Sequence, residues 1–139
     1  VDNIPSFEKC YMRDEDNAQL YSTLKESVSE IMNTYAGIIR SEEGLSEGLS
    51  EIDELESMVE HIAAKYADSA LCEYYIEASR RLICVARLIM SPALQRKESR
   101  GGHYREDYPS ADERYAMHSI QRYGEPMTTA PVNSNYFNF

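Results

Sequence analysis

Long apolar runs are missing from this sequence. Crossing a bilayer as a helix takes about eighteen or more apolar residues in a row. The most apolar stretch, Leu82 to Ile89, is interrupted by Arg87. No secretory leader is visible. Cysteine is scarce: Cys10, Cys72 and Cys84 are odd in number, far apart and in no metal-ligand spacing. That usage fits reduced thiols in a cytoplasmic setting. Positive charge is in deficit, with 14 Lys and Arg against 24 Asp and Glu, and the net charge of −10 argues against nucleic acid as a partner. Self-contained catalytic signatures are missing too. There is no Gly-x-Gly-x-x-Gly, phosphate-binding loop, His-Glu-x-x-His, paired-Cys motif or Gly-x-Ser-x-Gly.

What is present is enough for one domain with its own core, since the chain has 139 residues and an ordinary 42% of apolar ones. Its charge is unevenly placed. Arg80 to Arg122 holds nine basic residues against five acidic, and the remainder holds five against nineteen. The acidic part reads as a solvated face of the early helices; alternatively, the basic region meets an acidic or anionic neighbour. A chain that begins at Val1 reads as a piece or a processed product.

Three helices are expected. Residues 1–13, with Pro5 and no periodicity, read as an irregular lead-in. A first helix starts near Asp14 or Asp16 and carries Leu20, Leu24, Val28, Ile31, Met32, Tyr35, Ile38 and Ile39 at steps of three, four or one. Ser41 is the expected N-cap of a second, with Leu45, Leu49, Ile52, Leu55, Met58 or Val59, Ile62 and Tyr66 inward. The third runs from after Ser69 to about Lys97, burying Leu71, Tyr74, Tyr75, Ala78, Leu82, Val85, Ala86, Ile89 and Met90. Pro92 should kink or break its last turns. Short joints make this an all-α antiparallel three-helix bundle over residues 14–109. Residues 110–139 read as a short helix carrying Tyr115, Met117, His118 and Ile120, then an extended tail.

The densest run of ion-pairing side chains is Gln95 to Pro109. Arginine's planar fork suits carboxylates and phosphates, and Gly101-Gly102 lets the backbone turn or approach something closely. His103, Asp107 and His118 match no common metal spacing. Ser99 and His103, four residues apart with glycines between, leave a nucleophile–base geometry unspecified.

Arg96-Lys97-Glu98-Ser99-Arg100-Gly101-Gly102-His103-Tyr104-Arg105-Glu106-Asp107-Tyr108-Pro109 resembles a signature of the succinate dehydrogenase/fumarate reductase flavoprotein family, which includes L-aspartate oxidase. Ile31-Met32 with Gly37 to Leu45, and Ala86 to Ala93, resemble the segments that precede it. The resemblance implies a C-terminal helical domain of an FAD enzyme that passes a hydride between flavin and a C4 dicarboxylate. FAD and substrate groups then belong to a domain absent from this chain, with no catalytic, cofactor-binding or metal-binding residue here. Arg96, Glu98, Ser99, Arg100, His103, Arg105, Asp107 and Tyr108 become a domain-docking signature, with the arginines pairing Glu98, Asp107 or carboxylates of the flavin domain.

The implied partners are that flavin domain and an iron–sulfur subunit, with membrane association only through partner subunits. Asp112 to Ile120 and Pro131-Val132 resemble the extension of the dehydrogenase/reductase branch, although Tyr115 and Ser119 replace its usual Trp and Thr. L-Aspartate oxidase is the alternative within the family. A free-standing acidic helical module is the rival from another class.

Overall fold

The computed structural model describes residues 14–65, 70–122 and 125–132. The expected lead-in and the last residues of the tail, like Tyr66, lie outside them. Three helices build the core: α1 (Asp14–Tyr35), α2 (Glu42–Lys65) and α3 (Ala70–Gln95). Their order along one another is antiparallel for successive helices. Arg80 of α3 meets Glu60 of α2, and Arg87 meets Glu56 and Asp53. Tyr35 of α1 meets Glu51 of α2. None of the described helices is long and apolar enough to cross a membrane.

Helix α2 follows its pattern closely, with Leu45, Gly48, Ile52, Leu55, Val59 and Ile62 buried. Ser41 caps it: the Gly44 N–H donates to the Ser41 hydroxyl at 3.1 Å, satisfying one of the free first-turn donors. In α1, Leu24, Val28 and Ile31 are buried with Leu20, Met32 and Tyr35 packed beside them. Ile38 and Ile39 correct the expected stripe, because the helix ends at Tyr35 and leaves them exposed.

Helix α3 is rotated from the expected register. Its inner face is Cys72, Ile76, Ser79, Ile83, Ala86, Met90 and Ala93 at alternating steps of four and three. Tyr74, Val85 and Ile89 face outward. The helix passes through Pro92 and ends one turn later, with the Arg96 N–H closing on the Pro92 carbonyl at 3.0 Å.

Four short strands lie around the bundle's end. β1 (Ile39–Arg40) pairs in parallel with β2 (Tyr104–Arg105), matching Ile39 with Tyr104 and Arg40 with Arg105. The expected short helix after Pro109 reduces to a single 3-10 turn at Glu113–Tyr115, capped by Asp112. Met117–Ile120 is a strand instead (β3), antiparallel to Thr128–Pro131 (β4). The two segments find ladder partners in each other, a gain that local propensity does not register.

Gly48 marks the tightest helix contact. A Cβ there would lie 2.5 Å from the Met90 methyl and 2.8 Å from the Tyr35 Cβ, the latter held by its backbone. Gly48→Ala is therefore expected to lower stability by about 1–2 kcal/mol through overpacking, despite alanine's better helix propensity. Urea unfolding measures it, and a rise in the midpoint would show that the helices can separate at little cost.

Candidate functional site

The signature loop closes the bundle where α3 ends and α2 begins. A helix C-terminus exposes unpaired carbonyls with negative partial charge, and an N-terminus exposes unpaired N–H groups with positive partial charge. Arg105, fully buried, serves the first. Its Nη1 donates to the Ala93 and Leu94 carbonyls, both at 3.0 Å. Its Nε and Nη2 grip Asp107 in a fork at 2.7 and 2.6 Å. Asp107 serves the second end, accepting from the Glu42 N–H at 2.9 Å. Arg105's hydrogen bonds, set against burial and joined by the Glu42 N–H, hold the Asp107 carboxyl down at about 2.

Glu98 is the second centre and is also fully buried. It accepts from Arg96 Nε at 2.9 Å, from Arg100 Nε at 3.0 Å and from the Asp112 N–H at 2.9 Å. Burial pushes its carboxyl up, but the Asp112 N–H and the two guanidinium groups prevail and hold it below the usual carboxylate range. Beyond Glu98, Arg96 donates to the Tyr115 and Met117 carbonyls and so holds β3. Arg100 reaches the Asp112 carbonyl and the Glu113 carboxylate at the 3-10 turn.

Ser99 lies between the two centres. Its hydroxyl accepts from the Arg105 N–H and donates to the Tyr108 carbonyl, both at 2.8 Å. It makes no hydrogen bond to His103, so no nucleophile–base pair is assembled. Tyr108 receives the Lys97 and Arg105 cations over its ring, 5.7 and 5.1 Å from the centroid. Arg100 and His103 exchange backbone hydrogen bonds across Gly101-Gly102. Gly101 has φ +60°, where a β-carbon is strained, and neither glycine has a neighbour that a Cβ would meet. The glycines serve a turn, not a close approach.

His103 is half-buried. Its Nδ1 lies 3.2 Å from Arg40 Nη1 and its Nε2 lies 3.1 Å from the Arg96 carbonyl. A guanidinium only donates, so Nδ1 accepts and a neutral ring donates from Nε2. Burial lowers the His103 pKa; the Arg96 carbonyl raises it, while Arg40, Arg105 and Arg96 push it further down. His118 is exposed and lies 3.3 Å from the Val132 carbonyl. Among the described residues no group of three His, Cys, Asp or Glu gathers to hold a metal. The sequence gives Arg40 no role and Glu42 only that of an acidic first-turn residue of α2, although both fall in the quoted segment Gly37 to Leu45. Glu42 joins Lys97 at 3.0 Å and Tyr108 at 3.4 Å.

The arrangement defines a class: a helical domain whose helix ends are locked together by buried arginine–carboxylate pairs. Residues 25–138 match the family described as "Fumarate reductase flavoprotein C-term", and the chain belongs to it. It is 39% identical over 92 residues to an uncharacterised FAD-dependent oxidoreductase of Methanocaldococcus jannaschii, covering 66% of this chain and 16% of that protein. It is 36% identical over 97 residues to the L-aspartate oxidase of Pyrococcus furiosus, covering 70% and 16%. With that of Acinetobacter baylyi it shares 30% identity over 132 residues, covering 95% and 24%. The chain thus spans a quarter or less of these relatives' length.

The family is one of FAD-dependent flavoproteins, and the residues here fit that cofactor poorly. A dinucleotide pyrophosphate sits on a helix N-terminus after a strand and a Gly-rich turn. The one such junction among the described residues, β1 to α2, already has Asp107 and the Ser41 hydroxyl on its N–H groups. Its first turn carries Glu42 and Glu43.

Two outcomes follow from this geometry. Arg105→Ala leaves Asp107 and two helix carbonyls without their partner, and is expected to cost about 3–5 kcal/mol, as breaking a buried pair does. Chemical denaturation of the two proteins checks it. Acid acts in two windows. Below about pH 6.5 the unfolded chain binds a proton at residue 103 before the folded one does, so stability falls as pH falls. Asp107 adds stability that is complete above its ordinary 3.8 and is lost as pH falls through about 2. His103→Gln keeps a donor and an acceptor, and should flatten the urea midpoint between pH 7 and 5 (~, from the unperturbed histidine value) while leaving the lower window. An unchanged slope would remove His103 from the account.

Proposed function

We propose that this chain is the C-terminal helical domain of an FAD-dependent flavoprotein that moves a hydride between flavin and a C4 dicarboxylate. In this reading FAD and the reacting groups belong to a flavin-binding domain of the same polypeptide. The signature loop is the rigid end of the bundle that packs against it. One observation carries the reading: Arg96, Glu98, Arg100, Arg105 and Asp107 are all committed to one another or to backbone. A fully paired set suits holding a shape and leaves no group poised for acid–base work. The docking role assigned to Ser99, His103 and Tyr108 is the same: they brace the loop from within. No residue of this chain is given a catalytic part.

Within the family, the names of the Pyrococcus and Acinetobacter relatives favour L-aspartate oxidase, which converts aspartate to iminoaspartate. The extension after Pro109 favours the dehydrogenase/reductase branch, and only that branch brings an iron–sulfur subunit as partner. The relatives' names weigh more, because they rest on the longer alignment. A free-standing acidic module accounts for the charge and the missing catalytic motifs but not for the signature.

The test is the complete polypeptide, purified and assayed with L-aspartate and with succinate, each with an electron acceptor. The expected result is a stoichiometric flavin spectrum and turnover of L-aspartate. Turnover of succinate alone would move the protein to the dehydrogenase branch. A colourless, inactive polypeptide would overturn the reading.

A further inference from the structure

Arg40 stands apart from the other arginines of the bundle's end. Arg96, Arg100 and Arg105 each hold a carboxylate, whereas no Asp or Glu among the described residues forms an ion pair with Arg40. The guanidinium is nevertheless fixed. Its Nε donates to the Gly37 carbonyl at 2.8 Å and its Nη1 to His103 Nδ1 at 3.2 Å, while its Nη2 makes no hydrogen bond among the described residues. A half-buried, immobilised guanidinium with free donors is preorganised for a carboxylate, which it can bind without losing further side-chain entropy. On or beside the same β1–β2 pair, next to it in sequence or register, lie Ile38, 86% exposed, Ile39, 62% exposed, and Tyr104, the cross-strand partner of Ile39, at 41%. Exposed apolar residues beside one oriented charge are what a specific interface presents at its centre.

A second exposed apolar stripe runs along α3 through Val85, Leu88 and Ile89. Its arginines differ. Arg87 is already held by Asp53 and Glu56. Arg81 is exposed, with no hydrogen bond among the described residues to fix it.

We propose that Ile38, Ile39, Arg40 and Tyr104 form the docking patch for the flavin-binding domain of the same polypeptide, with Arg40 receiving an Asp or Glu carboxylate from that domain. The proposal rests on the flavoprotein reading above. The occupant follows from the chain outside this domain, since the matched region is only 16–24% of the relatives' length. It follows also from Arg40 having no carboxylate partner among the described residues. The patch lies on the β1–β2 pair, so it is continuous with the signature loop that β2 opens onto.

The experiment uses the complete flavoprotein with photoreactive benzoylphenylalanine in place of Ile38 or, separately, of Val85. The expected result is a cross-link from position 38 into a flavin-domain peptide that contains Asp or Glu, and none from position 85. Arg40→Glu should cut the yield about fivefold, the effect of one exposed-to-half-buried charge pair, and reversing the mapped carboxylate to Arg should restore it. Two results overturn the patch while the flavoprotein reading stands: a flavin-loaded protein that cross-links only from position 85, or one that cross-links position 38 between two copies. A complete polypeptide that binds no flavin overturns that reading and the patch with it.

Discussion

The pair formed by Arg105 and Asp107 is what the rest of the structure depends on. Burying a guanidinium is costly unless every donor is used, and here each edge of the fork has a different task. One nitrogen closes the carbonyls that α3 leaves open, and the other two hold the carboxylate that closes α2. Positive charge therefore meets the negative end of one helix, and negative charge meets the positive end of the next. A lysine could neutralise Asp107 but could not reach three acceptors in fixed directions. Because the two helix ends are joined through one ion pair, the turn at Gly101-Gly102, the Ser99 bridge and the β1–β2 pairing all take their positions from it.

Glu98 repeats the device one step away. It draws Arg96 and Arg100 together, and these two reach outward to hold β3 and the 3-10 turn. Three of the nine basic residues between Arg80 and Arg122, namely Arg96, Arg100 and Arg105, are consumed in this way, inside the chain. The acidic excess elsewhere behaves differently. Glu60, Glu77, Asp53 and Glu56 meet Arg80 and Arg87 across helix surfaces. Exposed pairs of that kind add little stability each; they help to set the register of α2 against α3.

Much of the fold was legible because α2 keeps a clean helical stripe and a serine cap. Two boundaries were not. In α1 the apolar spacing continues through Ile38 and Ile39, but the helix stops at Tyr35; a Cβ at Gly37 would lie only 2.9 Å from the Asn33 carbonyl. In α3 the segment Leu82 to Met90 is apolar on nearly every face, so periodicity cannot choose an inner side. Ala86 and Met90 belong to the expected stripe and are buried; the deciding residues it passes over are Cys72, Ser79 and Ala93, whose small size permits close packing. The β3–β4 hairpin depends on Arg96, over twenty residues away in sequence from β3's Met117 and held by one guanidinium, and no local rule anticipates it. At the site, the charged residues stood out as a cluster, yet their pairing is a property of three dimensions. Arg40 was visible only as part of a turn and a segment resembling the family, and Glu42 only as an acidic residue of a helix's first turn.

A loop so fully satisfied within itself has a functional consequence. If its arginines were free, a partner could attract them individually and the loop would adapt to it. With Glu98 and Asp107 holding them, the loop, the start of α2 and the end of α3 move as one body. Ile38, Ile39 and Arg40 are attached to that body through the β1–β2 pairing and the Arg40–His103 contact. Charge buried for geometry inside the domain thus fixes where the uncommitted charge points outside it. In the proposed docking, affinity would come from the apolar surface and orientation from the Arg40 guanidinium. Under the proposed docking, that division suits a domain that holds another in place, and it would make the internal ion pairs a condition for correct assembly.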